Sequence, residues 1–141
     1  MGKYEGRILK VDAVMPSGHI YPKEVIEDGL KDFKKKLEAG VVFGTFGDKS
    51  RENYTSETFT QDISHKVDDL YVNADGELWG KIETLPTSNG RIADDIMCNC
   101  DFALRAFGHI HEDNTVTDLH ILSIDLVPGS SNEIIQNKNN V

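Results

Sequence analysis

Positive charge is what this chain has least of: 15 Lys and Arg stand against 24 Asp and Glu, a formal net charge of −9. Nucleic-acid binding needs a basic surface to neutralise phosphates, so that function class is excluded. Docking to an anionic membrane surface is disfavoured for the same reason. Long apolar runs are also missing, and none approaches the ~20 residues that span a bilayer. Met1-Gly2-Lys3-Tyr4-Glu5 lacks the apolar stretch of a signal peptide, and Met1–Gly6 lacks the Ser or Thr of a myristoylation site. Cysteine is scarce. Cys98 and Cys100 are separated by one residue, which suits neither an ordinary structural disulfide nor, with two thiols, a zinc site. The compartment expected from that usage is a reducing cytoplasm.

What is present fits one soluble globular domain of 141 residues, with 38% hydrophobic and 28% charged residues. A chain of this length buries a core without covalent staples. Ile8, Leu9, Val11 and Val14 predict a strand over 5–15, broken by Pro16-Ser17-Gly18. Pro22 is placed to start a helix at its first position. Ile26, Leu30, Phe33 and Leu37 form one apolar stripe at helical spacing, read as a core face. Lys34-Lys35-Lys36 suits the helix C-terminus and Gly40 its end. Val41-Val42-Phe43 opens a second strand that ends near Gly44 or Gly47, and the polar, aperiodic stretch 48–61 reads as a surface loop.

Strands are predicted over 63–72 and 77–85, joined by the turn Asn73-Ala74-Asp75-Gly76, with Trp79 and Ile82 on opposite faces of the second. Ser88-Asn89-Gly90 opens a short helix with Ile92 and Ile96 on one side, and strands 102–111 and 116–127 follow. The expected fold is α+β and mainly β: an antiparallel β-barrel with two flanking helices, over residues 1–128. The Ser/Asn-rich segment 129–141 is expected to be a flexible tail.

Five stretches, taken in order, resemble the prohead (procapsid) maturation proteases of tailed bacteriophages, distant relatives of the herpesvirus assemblins. Gly18-His19-Ile20-Tyr21-Pro22 is similar to that family's entry to its first helix. Ile63-Ser64-His65-Lys66-Val67-Asp68-Asp69-Leu70, with Gly76 and Leu78-Trp79-Gly80-Lys81-Ile82, resembles its central hairpin. Leu85-Pro86-Thr87-Ser88-Asn89-Gly90 is similar to the start of its second helix. Phe102–Gly108 resembles the strand that holds the nucleophile in a Ser-Ser-Arg context. Ile124-Asp125-Leu126-Val127 with Ser130-Ser131-Asn132 resembles its last strand. The resemblance covers roughly residues 7–132 and implies a herpesvirus-protease-like barrel.

The catalytic residues do not carry over. The position matched to the nucleophilic serine is Ala103, followed by Leu104, and the position matched to the catalytic histidine is Asp48. Alanine has no nucleophile, and a carboxylate with a reference pKa of about 3.9 is a poor acid and base at neutral pH. Arg105 stands where the family keeps an arginine near the oxyanion, and Asp125 where a third, acidic member would sit. The resemblance therefore implies a natural pseudoenzyme without cofactor. Its role would be structural on or in the capsid, in the procapsid or virion of a phage assembled in a bacterial cytoplasm, or regulatory toward a paralogous active protease. Its partners would be capsid or scaffold protein, and a homodimer would match the herpesvirus relatives.

Two alternatives stay open: an active maturation serine endopeptidase, and a small metal- or ligand-binding barrel. A Cys100–His65 dyad would serve the first, although Cys100 and Ala103 fall on opposite faces of a strand. His65 is otherwise a structural or surface histidine. For the second, His109 and His111 share a strand face. A four-residue turn would set His109 opposite Asp118 and His120 opposite Phe107, bringing His109, His111, Asp118 and His120 together as a zinc set. The plainer expectation for those four is an exposed polar sheet face.

Overall fold

The computed structural model describes residues 2–47, 62–128 and 133–137. In chain order these form β1 (Lys3–Lys10), α1 (Lys23–Ala39), β2 (Phe43–Thr45), β3 (Ile63–Val72), β4 (Glu77–Thr84), α2 (Ser88–Ile96), a 3-10 turn (Met97–Asn99), β5 (Cys100–Ile110), β6 (Val116–Pro128) and β7 (Glu133–Asn137). The order matches the sequence reading as far as β6, and the class is the expected α+β, mainly β with two helices.

α1 buries Ile26, Leu30 and Phe33 from the predicted stripe, with Leu37 packed at its margin. Its start differs from expectation. Pro22 is the N-cap and carries no capping side chain. The cap comes from Asp12, whose carboxylate accepts the Lys23 N–H at 3.1 Å. Asp12 holds a left-handed backbone (φ 62°), so the chain turns there and β1 ends at Lys10 rather than at 15. At the other end Lys36 Nζ donates to the Ile121 carbonyl, tying α1 to β6.

α2 also presents a different face from the one expected. Ile92 is exposed, and Gly90 and Ala93 are the buried residues. The cause is close approach: a Cβ on Gly90 would stand 1.9 Å from the Leu85 carbonyl oxygen. Thr87 caps the helix by accepting the Gly90 N–H at 2.9 Å, and its hydroxyl donates to the Ile63 carbonyl at 2.7 Å. Asp94 accepts from Tyr4 and Thr84, fixing the helix against β1 and β4.

The strands divide into a four-stranded sheet in the order β1-β4-β3-β2 and a three-stranded sheet in the order β6-β5-β7. In β4, Leu78, Gly80, Ile82 and Thr84 point inward, leaving Trp79 on the opposite face. The Phe102 ring packs against Gly6, where a Cβ would stand 3.0 Å from it, so β5 and β1 approach closely there. The sheets also meet where β2 runs beside β6. Phe46 forms a parallel bridge with Leu126, and Gly47 N–H donates to the Leu126 carbonyl at 3.1 Å. Among the described residues, the strands thus form two sheets that meet at a seam, where the sequence reading expected a closed antiparallel barrel. β7, lying in the segment expected to be a flexible tail, pairs in parallel with β5.

Thr87→Ala removes the α2 cap and its bond to β3, and we expect an unfolding free energy lower by about 1–2 kcal/mol, read as a lower urea midpoint. Gly90→Ala is expected to be the more damaging of the two, because its Cβ meets backbone rather than a movable side chain.

Candidate functional site

β5 and β6 place Ala103 opposite Asp125 and Arg105 opposite Ser123. Phe102, Leu104 and Ala106 join the hydrophobic core, and the alternate residues Ala103 and Arg105 lie on the other face of the strand. All five are nonetheless buried. Arg105 Nε stands 3.0 Å from Asp125 Oδ2, with the two side chains 3% and 0% exposed. The other oxygen, Asp125 Oδ1, accepts the backbone N–H of Thr45 at 3.0 Å. Two residues back on β6, Ser123 Oγ donates to the Phe43 carbonyl at 2.8 Å. Side chains of β6 therefore supply to β2 the partners that a backbone ladder would otherwise supply.

His65 completes this seam from β3. Its Nε2 lies 2.6 Å from the Ile124 carbonyl, and its Nδ1 lies 2.7 Å from Ser64 Oγ. A carbonyl only accepts, so the proton sits on Nε2 and Ser64 donates to Nδ1. Gly44 faces His65 across the β2–β3 pair, and a Cβ there would stand 2.0 Å from Nε2. The glycine makes room for the ring. Burial pushes the imidazole down to about 4, and the nearby Arg105 charge adds to the fall, against the opposing hydrogen bond to Ile124. His65 is a neutral, fully engaged histidine inside the fold.

The structure brings Ala103, Arg105 and Asp125 together, and Asp48 lies outside the described residues. The residues that sequence reasoning passed over are Thr45, Ser64 and Ser123, with His65 as a seam member. The available signal was a run of small or polar residues, Gly44-Thr45 and Ser64-His65, inside segments that otherwise read as strands. The Cys100–His65 dyad is not assembled. Both ring nitrogens of His65 are engaged, Cys100 Sγ donates to the Ile96 carbonyl, and burial raises the Cys100 thiol.

The histidine set on β5 and β6 is rearranged as well. Phe107 faces His120 as expected, but His109 faces Thr117 rather than Asp118. The reason is the turn: His111 N–H donates to the Thr115 carbonyl at 3.0 Å, closing a loop of three residues where four were expected, and the bulge at Asp118 (φ 51°) then restores the expected register at Phe107. His109 and His111 stack on each other with ring centroids 4.1 Å apart, and His111 Nε2 bonds Thr117 Oγ1. His120 Nε2 lies 3.5 Å from Asp118. Among the described residues, no group of three or more His, Cys, Asp or Glu is placed to hold a metal ion.

Two stability measurements check the seam. Arg105→Met leaves a carboxylate buried without its cation, and we expect a loss of about 3–5 kcal/mol in urea unfolding. Adding Asp125→Asn removes that charge while keeping an oxygen for Thr45 N–H, so the double variant should recover part of the loss. The pH dependence follows from His65, whose folded pKa lies below its unfolded value near 6.5. Its contribution is complete above pH 6.5 and is lost as pH falls through 4, on the order of 3 kcal/mol over that window. His65→Gln, less stable at pH 7, should show a flatter pH profile between 6.5 and 4.

No protein-family model matches the chain, and no curated protein does. Among solved structures, the fold is similar to that of the bacteriophage T4 capsid assembly protease gp21, with a TM-score of 0.76 at 16% sequence identity. The match covers 90% of this chain and 81% of that one. A likeness at this identity is one of fold, and it agrees with the resemblance read from the sequence: the chain has a prohead-protease-like fold.

Proposed function

We propose that this chain is a non-catalytic phage-head protein that keeps a prohead-protease fold for binding. Its place is the procapsid or virion, and its partner is capsid or scaffold protein or a paralogous protease. The observation that carries the reading is the state of the nucleophile strand. Ala103 occupies the position matched to the nucleophile, and the carboxylate opposite it, Asp125, has both oxygens committed, one to Arg105 and one to Thr45 N–H. A triad needs a hydroxyl, a base within reach of it, and a group free to orient that base. Among the described residues of the seam, the His65 imidazole has both nitrogens bonded and the hydroxyls of Ser64 and Ser123 are already spent. Ser64 donates to His65 and Ser123 to Phe43, both from buried positions.

The likeness to a capsid assembly protease supports the choice of partner. A fold that once positioned peptide substrates retains sheet edges on which an extended segment can be held without any nucleophile.

Labelling with a fluorophosphonate probe, together with incubation of the protein with phage scaffold, tests catalysis. We expect no label and no cleavage, and specific labelling of any serine would overturn the non-catalytic reading. Mass spectrometry of purified proheads and virions tests the location, with the chain expected in at least one. Its absence from both would sink the head-protein reading.

A further inference from the structure

β5 carries Ala103 and Arg105 on one face, and its outer edge is occupied by the chain's own β7. The pairs run from Leu104 opposite Glu133, through Arg105–Ile134, Ala106–Ile135 and Phe107–Gln136, to Gly108 opposite Asn137. This is the one parallel ladder between strands among the described residues; β1, β2, β3, β4 and β6 pair antiparallel. β7 is five residues long against the thirteen of β6, and it forms the margin of its sheet. Its hold on the edge is therefore short and one-sided, the character of an element that opens locally before the rest.

Ile135 is the β7 residue whose side chain is described. Ile135 is half-buried against the core, over a notch whose floor is Gly108. A Cβ on Gly108 would stand 2.9 Å from Val116 Cγ1, 3.1 Å from Ile135 Cδ1 and 3.6 Å from Leu119 Cδ1, so the missing side chain is what leaves space for an aliphatic group. A strand edge with one apolar notch is the recognition chemistry of strand addition. Backbone hydrogen bonds give attachment whatever the sequence, and the notch selects the residue above it.

We propose that the outer edge of β5, Leu104–Gly108, is a binding site for an extended segment of a partner protein with a branched aliphatic residue at the notch, and that β7 is an exchangeable internal occupant. The template for the partner is the segment already seated there, Glu133-Ile134-Ile135-Gln136-Asn137, running parallel to β5. The proposal stands on the β5–β7 ladder alone and does not require the phage-head reading.

The test uses the full chain, isotopically labelled for NMR, and a capped synthetic peptide Ser-Ser-Asn-Glu-Ile-Ile-Gln-Asn-Lys. Ile135→Asp in the full chain weakens the internal occupant. That variant is expected to bind the peptide at least tenfold more tightly than the unaltered chain, with shift changes centred on Leu104–Gly108 and Val116. A peptide bearing the same Ile135→Asp change is expected not to bind. Failure of the variant chain to bind the unaltered peptide, or shift changes centred elsewhere, would overturn the proposal. If Ile135→Asp does not fold, amide exchange in the unaltered chain decides. The β5 amides bonded to β7 are expected to exchange at least tenfold faster than those bonded to β6. Equal protection would overturn the proposal, because β7 would then leave only on global unfolding.

Discussion

The contact between Arg105 and Asp125 is the one on which the arrangement of the two sheets depends. Each charge alone would be expensive so far from water, and together they are tolerable only at close range and with their remaining valences used. Asp125 uses its second oxygen on Thr45 N–H, so the same carboxylate that neutralises β5 also holds β2. Ser123 and the Ile124 carbonyl extend that join to Phe43 and His65. Four strands, β2, β3, β5 and β6, are thereby tied by side chains at a place where their backbones do not form a continuous ladder.

The composition of that seam suits cohesion rather than proton transfer. A catalytic base must gain and lose a proton near neutral pH and must reach a solvent-accessible nucleophile. His65 is held neutral to about pH 4 by burial, has both nitrogens bonded, and lies inside the fold. The polar groups there hydrogen-bond or ion-pair with one another, which lowers the penalty of burying them and gives the packing one preferred arrangement. Arg105 and Asp125 are buried as a pair, since either one left alone would be a buried, uncompensated charge.

Local patterning made much of the fold legible. The α1 stripe, the Asn73–Gly76 turn and the alternation along β4 each depend on neighbours a few residues apart, and each is where the sequence placed it. The α2 face was misread because Ile92 and Ile96 outweigh Gly90 and Ala93 in hydrophobicity, whereas close contact with the Leu85 carbonyl selects the small residues. The His109–Asp118 pairing was misread because the loop closes on His111 and Thr115, one residue shorter than the turn assumed, and a one-residue change of loop length moves every pair beside it. β7 was read as tail since its five residues gain order only from a strand edge far back in the chain.

By itself the sequence determined the class of the fold and the run of elements from β1 to β6. These are properties of periodicity, turn chemistry and residue identity, all of which are written locally. Tertiary structure alone decided that His65 is buried and neutral, that Asp125 is shared between Arg105 and the Thr45 amide, and that β7 covers the edge of β5. Each of those depends on groups about 30 to 80 residues apart meeting where water is excluded, and the interaction of a charge or a hydrogen bond with its surroundings is set by that exclusion rather than by the identity of the residue.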